Sequence, residues 1–237
     1  MTRRRLPQFD PVTALRVEAG SPLLPAIPVD RLQPDALRRR LQTPPAWHPE
    51  SRGDPPLALG PGDPTAALTP ASVLIPIVLR AEAPTVLLTR RTAHLNDHAG
   101  QIAFPGGRRD PGDLSAEHTA LREAQEEVGL SAQYVEILGQ MPDYRTITEY
   151  VVTPVVALVQ PQFRLAVDAF EVAEAFEVPL AFLMDPANHH QRSIPAGPQG
   201  QRERLFWAMP WQDQGQEYFI WGATAAMLRN LYQLLSA

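Results

Sequence analysis

The sequence predicts an α/β protein, and three observations point to that class. Runs of β-branched and aliphatic residues at 73–79 and 85–89, joined by a short polar segment, are typical of two paired strands in a core sheet. An acidic helix is predicted at 115–128, because this stretch contains neither Pro nor Gly. A second helix is predicted at 223–235, where apolar residues recur at helical spacing. Strands with helices between and after them are expected to pack in layers around one core.

The composition is that of an ordinary soluble protein with one substantial core. The 237 residues are 44% hydrophobic and 20% charged, which is sufficient for one domain with an extension. The absence of Cys excludes disulfides, thiolate catalysis and cysteine-ligated zinc. No apolar run is long enough to span a membrane, and the formal net charge of -5 argues against nonspecific nucleic-acid binding. We therefore expect a cytoplasmic protein whose partners include neither nucleic acid nor membrane.

Residues 1–70 are predicted to form an extension with a Pro-rich linker, and residues 71–237 the main domain. A short helix is expected at 35–41, but the eight prolines between residues 43 and 70 exclude a regular helix or a central strand there. Parts of the extension are expected to wrap around the domain, to wrap around a partner subunit in a homodimer, or to be disordered. Its basic start is not followed by an apolar stretch, so we do not expect a secretory signal.

Further strands are predicted from β-rich and aliphatic stretches, at residues 101–104, 135–138, 150–159, 204–209 and 218–221. The segment 141–149 is predicted to be a polar loop that is long enough to touch a ligand. Three acidic residues outside the predicted acidic helix are candidates for a ligand site near that helix: Glu149, Glu171 and Glu174. His189 and His190 are expected at the surface, because adjacent residues on a strand point to opposite faces.

The acidic helix carries the clearest chemical signal. Ser115 is a plausible N-cap, and Gly129 stands where the helix should end. Glu123, Glu126 and Glu127 are spaced i, i+3 and i+4, so three carboxylates are expected on one exposed side within a single turn. Like charges this close repel one another, and a divalent cation would reverse the sign of the interaction. Hard oxygen ligands of this kind suit Mg²⁺ or Mn²⁺.

The alternative interpretation of this helix is structural. Arg122 and Glu126 form an i, i+4 pair, so the acidic side could simply be the solvated face of an amphipathic helix. The segment just before the helix favours the functional interpretation. Residues 104–107 read FPGG, and two adjacent glycines allow the backbone to approach a metal or a phosphate closely. A glycine turn followed by an acidic helix is a layout typical of a phosphate site.

These residues resemble the Nudix box, G-x5-E-x7-R-E-U-x-E-E-x-G-U, where U is aliphatic. The second half of the box is matched by six residues in order: Arg122, Glu123, Glu126, Glu127, Gly129 and Leu130. The first half departs from the pattern. Counting from Gly107, Asp113 stands where Glu is expected, and eight residues rather than seven precede Arg122.

A second match narrows the resemblance. The stretch LLTRRT at 87–92, then Leu95, His98, GQI at 100–102 and FPGG at 104–107, is similar to the segment that precedes the box in coenzyme A diphosphatases. Thr92 replaces the more usual Ser. A weaker likeness is found at residues 220–224. Box and upstream segment together cover about residues 87–130.

The resemblance implies a Nudix-type α/β/α sandwich with a mixed sheet and a metal-dependent hydrolase. It implies that Glu123 and Glu127 hold the principal metal, that Glu126 holds a second metal or the water, and that the Gly107 carbonyl supplies a further ligand. Arg122 is assigned an orienting role. The predicted substrate-binding residues are Arg90, Arg91, His98, Gln101, Phe104 and Gly106.

The substrate that the resemblance implies is coenzyme A, or its oxidised or acyl forms, cut at the diphosphate to give 3′,5′-ADP and 4′-phosphopantetheine or its derivative. Two alternatives stay open at this stage. One is a Nudix diphosphatase that acts on ADP-ribose or other nucleoside diphosphate derivatives. The other is a non-catalytic binding module with the same fold, which the intact glutamates of the box disfavour.

Overall fold

The computed structural model describes residues 10–17, 24–54, 68–93, 100–196 and 202–237. The strands in these ranges are β1 (Leu15–Arg16), β2 (Thr69–Val78), β3 (Thr85–Arg91), β4 (Ile102–Ala103), β5 (Gly106–Arg108), β6 (Val135–Gln140), β7 (Tyr144–Arg145), β8 (Tyr150–Val159), β9 (Val172–Pro179), β10 (His190–Ala196), β11 (Arg202–Asp213) and β12 (Gln216–Trp221). The helices are α1 (Pro34–Gln42), α2 (Ala116–Val128), α3 (Leu180–Leu183) and α4 (Gly222–Ser236). Of the described helices, none is both long enough and apolar enough to cross a membrane.

Eight strands form the central sheet. Its main path runs in the order β4-β3-β2-β8-β6, while β5 pairs with β2, β7 with β8 and β9 with β3. β2 and β8 are parallel along their whole lengths, from the pair Thr69 and Tyr150 to the pair Val78 and Val159. The other pairings in this sheet are antiparallel, including the predicted hairpin of β2 and β3. The sheet is therefore mixed, as predicted.

Alternating side chains of the central sheet point to opposite faces and pack into two separate hydrophobic cores. On one face, Leu74 and Val155 are fully buried against the apolar side of α2, which contributes Ala120, Ala124 and Val128. On the other face, strand residues pack against α4 and α1 in a larger cluster. Burying one Val or Leu side chain contributes roughly 1.5 to 3 kcal/mol, so both faces stabilise the sheet. Helices on both faces of a mixed sheet confirm the predicted α/β/α sandwich.

A second, antiparallel sheet has the strand order β1-β10-β11-β12. Two of its strands were predicted, and both are longer than expected: the stretch 204–209 lies within β11, and 218–221 lies within β12. The other two strands of this sheet, β1 and β10, were not predicted from the sequence. The two-residue strand β1 pairs Leu15 with Ser193, so part of the N-terminal extension belongs to this sheet.

The extension also contributes to the main core. The helix predicted at 35–41 is present as α1, and Leu32, Leu37 and Leu41 are buried in the cluster that contains α4. Arg38 of α1 forms a two-point contact with Glu136 of β6, with Nε–Oε1 at 2.9 Å and Nη2–Oε2 at 2.8 Å. The described part of the extension therefore wraps around the domain. A division of the chain at residue 70 stays a prediction.

Asp54 ties the extension to the loop that was predicted to touch a ligand. Its Oδ1 accepts a hydrogen bond from the Tyr144 hydroxyl at 2.9 Å, and its Oδ2 accepts one from the Ile147 N–H at 2.9 Å. Burial and the Asp54 carboxylate raise the pKa of Tyr144, so its hydroxyl remains a donor. The loop is therefore fixed to the extension at Tyr144 and Ile147.

The expectation that His189 lies at the surface is wrong. His189 is 7% exposed, and its Nδ1 accepts a hydrogen bond from Arg229 Nη1 at 3.1 Å. Because a guanidinium can only donate, the proton is on Nε2, which donates to the Leu183 carbonyl at 2.7 Å. The pKa of His189 is lowered to about 4, mainly by burial, and the Arg229 charge acts in the same direction. The residue precedes β10 in a short turn, where the strand argument does not apply.

Candidate active site

The ends of α2 are set by the two residues that the sequence identified. The Ser115 hydroxyl accepts a hydrogen bond from the His118 N–H at 3.2 Å, which caps the N-terminus. Gly129 ends the helix in the left-handed region at φ 71°, which suits a residue without a Cβ. The buried apolar side of the helix fixes its rotation, so its acidic residues are held in a defined direction relative to the sheet.

The three carboxylates of α2 differ strongly in exposure. The side chain of Glu126 is 57% exposed, that of Glu123 is 16% exposed and that of Glu127 is 5% exposed. The expected exposed acidic side is therefore wrong for Glu127. Its carboxylate lies between the Gly106 N–H and Arg91. The segment after β8 docks on the last turn of α2, where the Asp168 N–H donates to the Glu127 carbonyl.

Arg122 connects the acidic residues of the box. Its Nη2 lies 2.9 Å from Glu123 Oε1, and its Nη1 lies 2.8 Å from Glu126 Oε2. Its Nε and Nη2 contact Asp113, and Nη2 also donates to the Arg108 carbonyl at 3.1 Å. The i, i+4 pair with Glu126 exists, as the structural alternative requires. It is one contact in a larger cluster, however, and that cluster places the carboxylates beside the glycine turn.

Asp113 reaches Arg122 in spite of the altered box spacing. Arg122 Nε lies 3.1 Å from Asp113 Oδ1 and Nη2 lies 3.0 Å from Oδ2, a forked contact that holds the pKa of Asp113 well below its usual range. Asp113 Oδ2 also accepts from the Asp110 N–H at 2.9 Å and from the Thr119 hydroxyl at 3.0 Å. Thr119 was not predicted as a site residue. Its signal in the sequence is a hydroxyl placed one helical turn before Arg122.

The glycine turn lies directly against two of the carboxylates. The Gly106 N–H donates to Glu127 Oε2 at 3.1 Å. A Cβ at Gly107 would lie 2.5 Å from the carboxyl carbon of Glu123, and one at Gly106 would lie 2.5 Å from the Ser72 carbonyl oxygen. The two glycines are therefore required for close approach, as the sequence indicated.

Glu127 is a carboxylate that the fold holds away from water. Its pKa is raised to about 7, mainly by burial, and the charges of Glu123 and Glu171 act in the same direction. The Gly106 N–H and Arg91, whose Nη1 lies 3.6 Å from Glu127 Oε1, oppose this shift. Burial likewise raises the pKa of Glu123, although Arg122 opposes this. A nearby cation would stabilise the ionised form of both groups.

The donor set fits a hard divalent cation in its chemistry. It consists of carboxylate oxygens packed closely against a turn whose glycines carry no side chain, and two of the carboxylates have pKa values raised by burial. Within the described ranges, no three acidic or histidine side chains stand at the spacing of an assembled metal site. In this conformation Arg122 occupies one oxygen of Glu123 and one of Glu126.

The two predicted arginines of β3 point to different surroundings. Arg91 lies beside Glu127, as described above. Arg90 Nη2 lies 3.7 Å from Glu174 Oε2, and its guanidinium stacks 4.9 Å from the centre of the Tyr218 ring. Of these two arginines, Arg91 is therefore the one in direct reach of a carboxylate of α2.

The other predicted substrate-binding residues are distributed differently. Phe104 is 2% exposed and packs in the core, so its side chain does not line the site. The Gln101 carbonyl accepts a hydrogen bond from the Arg91 N–H at 3.0 Å, which joins it to the end of β3. Gly106 lies in the turn against the carboxylates. His98 lies outside the described residues.

The three candidate carboxylates outside α2 are separated by the fold. The charge of Glu171 raises the pKa of both Glu123 and Glu127, so it lies on the same side of the protein as the box. Glu174 belongs to the cluster with Arg90. Glu149 is exposed, just before β8. Glu171 is therefore the candidate that the structure brings to the site.

Comparisons with known proteins point to one family. The family described as NUDIX domain matches residues 68–197. A protein of Photorhabdus laumondii with the name "Uncharacterized Nudix hydrolase NudL" is 42% identical over 163 residues, covering 69% of this chain and 83% of its own length. A protein of the same name from Yersinia enterocolitica is 44% identical over 173 residues, covering 73% and 85%. Among solved structures, a Nudix hydrolase from M. smegmatis, RenU, is 26% identical, with a TM-score of 0.41, and the match covers 47% of this chain and 71% of that one.

Proposed function

The chain belongs to the Nudix hydrolase family, and from this premise we propose that it hydrolyses the diphosphate bond of coenzyme A and its derivatives. The products would be 3′,5′-ADP and 4′-phosphopantetheine or its acyl derivative. The observation that carries the proposal of hydrolysis is the contact between the glycine turn at 106–107 and the carboxylates of Glu123 and Glu127. The choice of coenzyme A is supported by the residues at 87–107 that resemble coenzyme A diphosphatases.

The proposed cofactor is Mg²⁺ or Mn²⁺. Glu123 and Glu127 would hold it together with the Gly107 carbonyl, Glu126 would hold a second ion or the water, and Glu171 would add a further carboxylate. When bound, the cation would offset the negative charge of the diphosphate oxygens and lower the pKa of a water molecule. Carboxylate and carbonyl oxygens are suitable donors for either ion.

Arg122 has the role of positioning these carboxylates. It is anchored by two contacts to buried Asp113, and it directs its remaining N–H groups at Glu123 and Glu126. Since Asp113 holds the guanidinium in place, Arg122 can release Glu126 without leaving the site. Glu126 is the most exposed of the three glutamates of α2, and so it is the one best placed to accept a hydrogen bond from an incoming water.

Arg91 supplies positive charge at the opposite side of Glu127. Its side chain is 25% exposed and lies 3.6 Å from that carboxylate, so it can also face a phosphate oxygen of a substrate bound beside Glu127. Arg90, on the same strand, is already engaged with Glu174 and Tyr218. We assign Arg91 to the diphosphate and Arg90 to the end of the substrate that lies beyond it.

The proposal is tested by turnover with excess Mg²⁺ over a panel of coenzyme A, ADP-ribose and dinucleoside polyphosphates. We expect release of 3′,5′-ADP from coenzyme A, abolished by EDTA, with the highest kcat/KM in the panel. Glu127→Gln is expected to fold and to lose most activity, whereas Glu117→Gln, which makes the same change in charge on the first turn of α2, should keep it. Faster hydrolysis of ADP-ribose than of coenzyme A would make ADP-ribose the assigned substrate. No turnover of any compound would favour a non-catalytic binding module.

A further inference from the structure

A concave surface lies at the C-terminal ends of α1 and α4, and its residues play no part in the proposed catalytic site. Its volume is ≈ 480 Å³, and we call it the basic cavity. Its lining residues are Arg31, Ala36, Arg39, Arg40, Thr43, Pro44, Pro45 and Leu235. Three of the described residues that line it are arginines and none is acidic, although the chain has a formal net charge of -5.

Two of the three arginines of the basic cavity, Arg39 and Arg40, are placed by the packing of α1. Leu37 and Leu41 of this helix are buried in the main core, which fixes its rotation and directs Arg39 and Arg40 outward in its last turn. Arg40 Nη1 also donates to the Ala237 carbonyl at 2.7 Å, next to the end of α4. The positions of Arg39 and Arg40 therefore follow from the packing of the helix against the core.

A neighbouring arginine shows the contrast. Arg38, on the same helix, is neutralised by Asp35 and Glu136, each at 2.8 Å. Within the described part of the chain, the side chains of Arg31 and Arg39 form neither an ion pair nor a hydrogen bond. Like charges gathered around one concave surface repel one another, and a cleft concentrates their field. An anion of two or more charges would turn this repulsion into attraction.

We propose that the basic cavity binds a free small organic phosphate that carries at least two negative charges. Guanidinium groups match phosphate oxygens in a forked geometry, and the Thr43 hydroxyl can donate a further hydrogen bond. The apolar part of the wall, which includes Ala36 and Leu235, can accept the carbon skeleton of such a ligand. The proposal does not depend on the substrate of the catalytic site, because none of its residues belongs to that site.

The test is calorimetric titration of the whole chain with inorganic pyrophosphate, in a buffer with EDTA so that a metal-assisted site does not contribute. We expect saturable binding of one pyrophosphate. The double variant Arg31→Gln/Arg39→Gln should raise Kd by about tenfold or more. The matched control is Arg52→Gln, an exposed arginine outside the cavity, which should change Kd by less than about twofold. Both variants should keep the wild-type kcat for the diphosphatase reaction.

The proposal would be overturned by the absence of saturable binding to the wild-type chain, by unchanged binding in the double variant, or by an equal loss in Arg52→Gln. Binding only to vesicles that contain phosphatidic acid, or only to RNA, would also contradict a free ligand. If the glutamine pair unfolds, Arg31→Lys/Arg39→Lys keeps the charges and removes the forks. Its Kd should then lie above that of the wild type, and an unchanged Kd would count against the guanidinium contacts.

Discussion

Arg122 and Asp113 form a forked ion pair, with Nε–Oδ1 at 3.1 Å and Nη2–Oδ2 at 3.0 Å. The side chain of Asp113 is 2% exposed, and Arg122 is the main reason that its pKa is lowered. A buried carboxylate without this partner would lose charge compensation, while a free guanidinium would lose the position from which it contacts Glu123 and Glu126. The pair therefore links the stability of the loop before α2 to the geometry of the site.

This pair predicts strong coupling in a double-mutant cycle. Asp113→Ala and Arg122→Ala should each lower the free energy of unfolding and the activity, and the double variant should cost less than the sum of the two. The interaction energy is expected to be roughly 0.5 to 3 kcal/mol, from denaturant unfolding of the four proteins. Strict additivity would mean that the two residues act independently in solution.

Gly107 gives a prediction with a matched control. In Gly107→Ala the new Cβ would lie 2.5 Å from the carboxyl carbon of Glu123, so this flexible side chain must move away. Because only the end of a side chain is displaced, the fold should persist while kcat/KM falls by about 100-fold. Gly112→Ala is the control, since nothing lies within 4 Å of its added Cβ. If both variants retain full activity, the position of Glu123 is not important for catalysis.

Glu171 is predicted to contribute to metal binding. Glu171→Gln removes a charge that raises the pKa of both Glu123 and Glu127. We therefore expect that the Mg²⁺ concentration for half-maximal activity will rise by roughly tenfold to 100-fold, with a smaller change in kcat at saturating metal. Glu149→Gln, an exposed residue that is not among the charges acting on those two groups, should leave the Mg²⁺ dependence unchanged. An identical Mg²⁺ titration for both variants would remove Glu171 from the site.

His189 predicts a pH dependence of stability. Its pKa is lowered from 6.5 to about 4 by burial, so between these values the unfolded chain binds more protons than the folded one. Its contribution is fully present above pH 6.5 and is lost as the pH falls through about 4. The loss amounts to at most roughly 3 kcal/mol in the free energy of unfolding.

The measurement is denaturant unfolding of the wild type and of His189→Gln from pH 7.5 to pH 4. The wild-type curve alone does not isolate His189, because Glu127 titrates in the same pH range with the opposite sign: its raised pKa makes the stability fall as the pH rises towards 7. Both proteins contain Glu127, so the difference between their two curves reports on His189. We expect the stability of the wild type to fall more steeply on acidification than that of the variant. Parallel curves would show that the imidazole is already protonated or is accessible to water.

The sequence was sufficient for those features that depend on local rules. Ser115 and Gly129 mark the ends of α2 because capping requires particular residue types at particular positions. The ten-residue strand β8 was predicted with its observed bounds, since a long β-branched and aliphatic run has few alternatives. The glycine pair at 106–107 was identified from its lack of side chains, and the structure shows what those side chains would strike.

Features that depend on distant parts of the chain were missed. The Glu127 carboxylate is buried where the glycine turn and Arg91 of β3 meet it, and no pattern in the helix itself indicates this. His189 is buried because Arg229 of α4 and Leu183 of α3 meet around it. The spacing of the box predicted the type of partner for Arg122, but only the folded loop shows that the shorter Asp113 reaches it.

The proposed selection of coenzyme A by the site is tested most directly by comparing coenzyme A with dephospho-coenzyme A. If the arginines near residues 87–107 recognise the 3′-phosphate, one charge-assisted contact of roughly 1.5 to 3 kcal/mol favours coenzyme A by about tenfold to 100-fold in kcat/KM. The comparison requires excess Mg²⁺, so that chelation by the extra phosphate does not imitate recognition. Equal kcat/KM values for the two compounds would contradict this proposal and leave a general nucleoside diphosphate hydrolase.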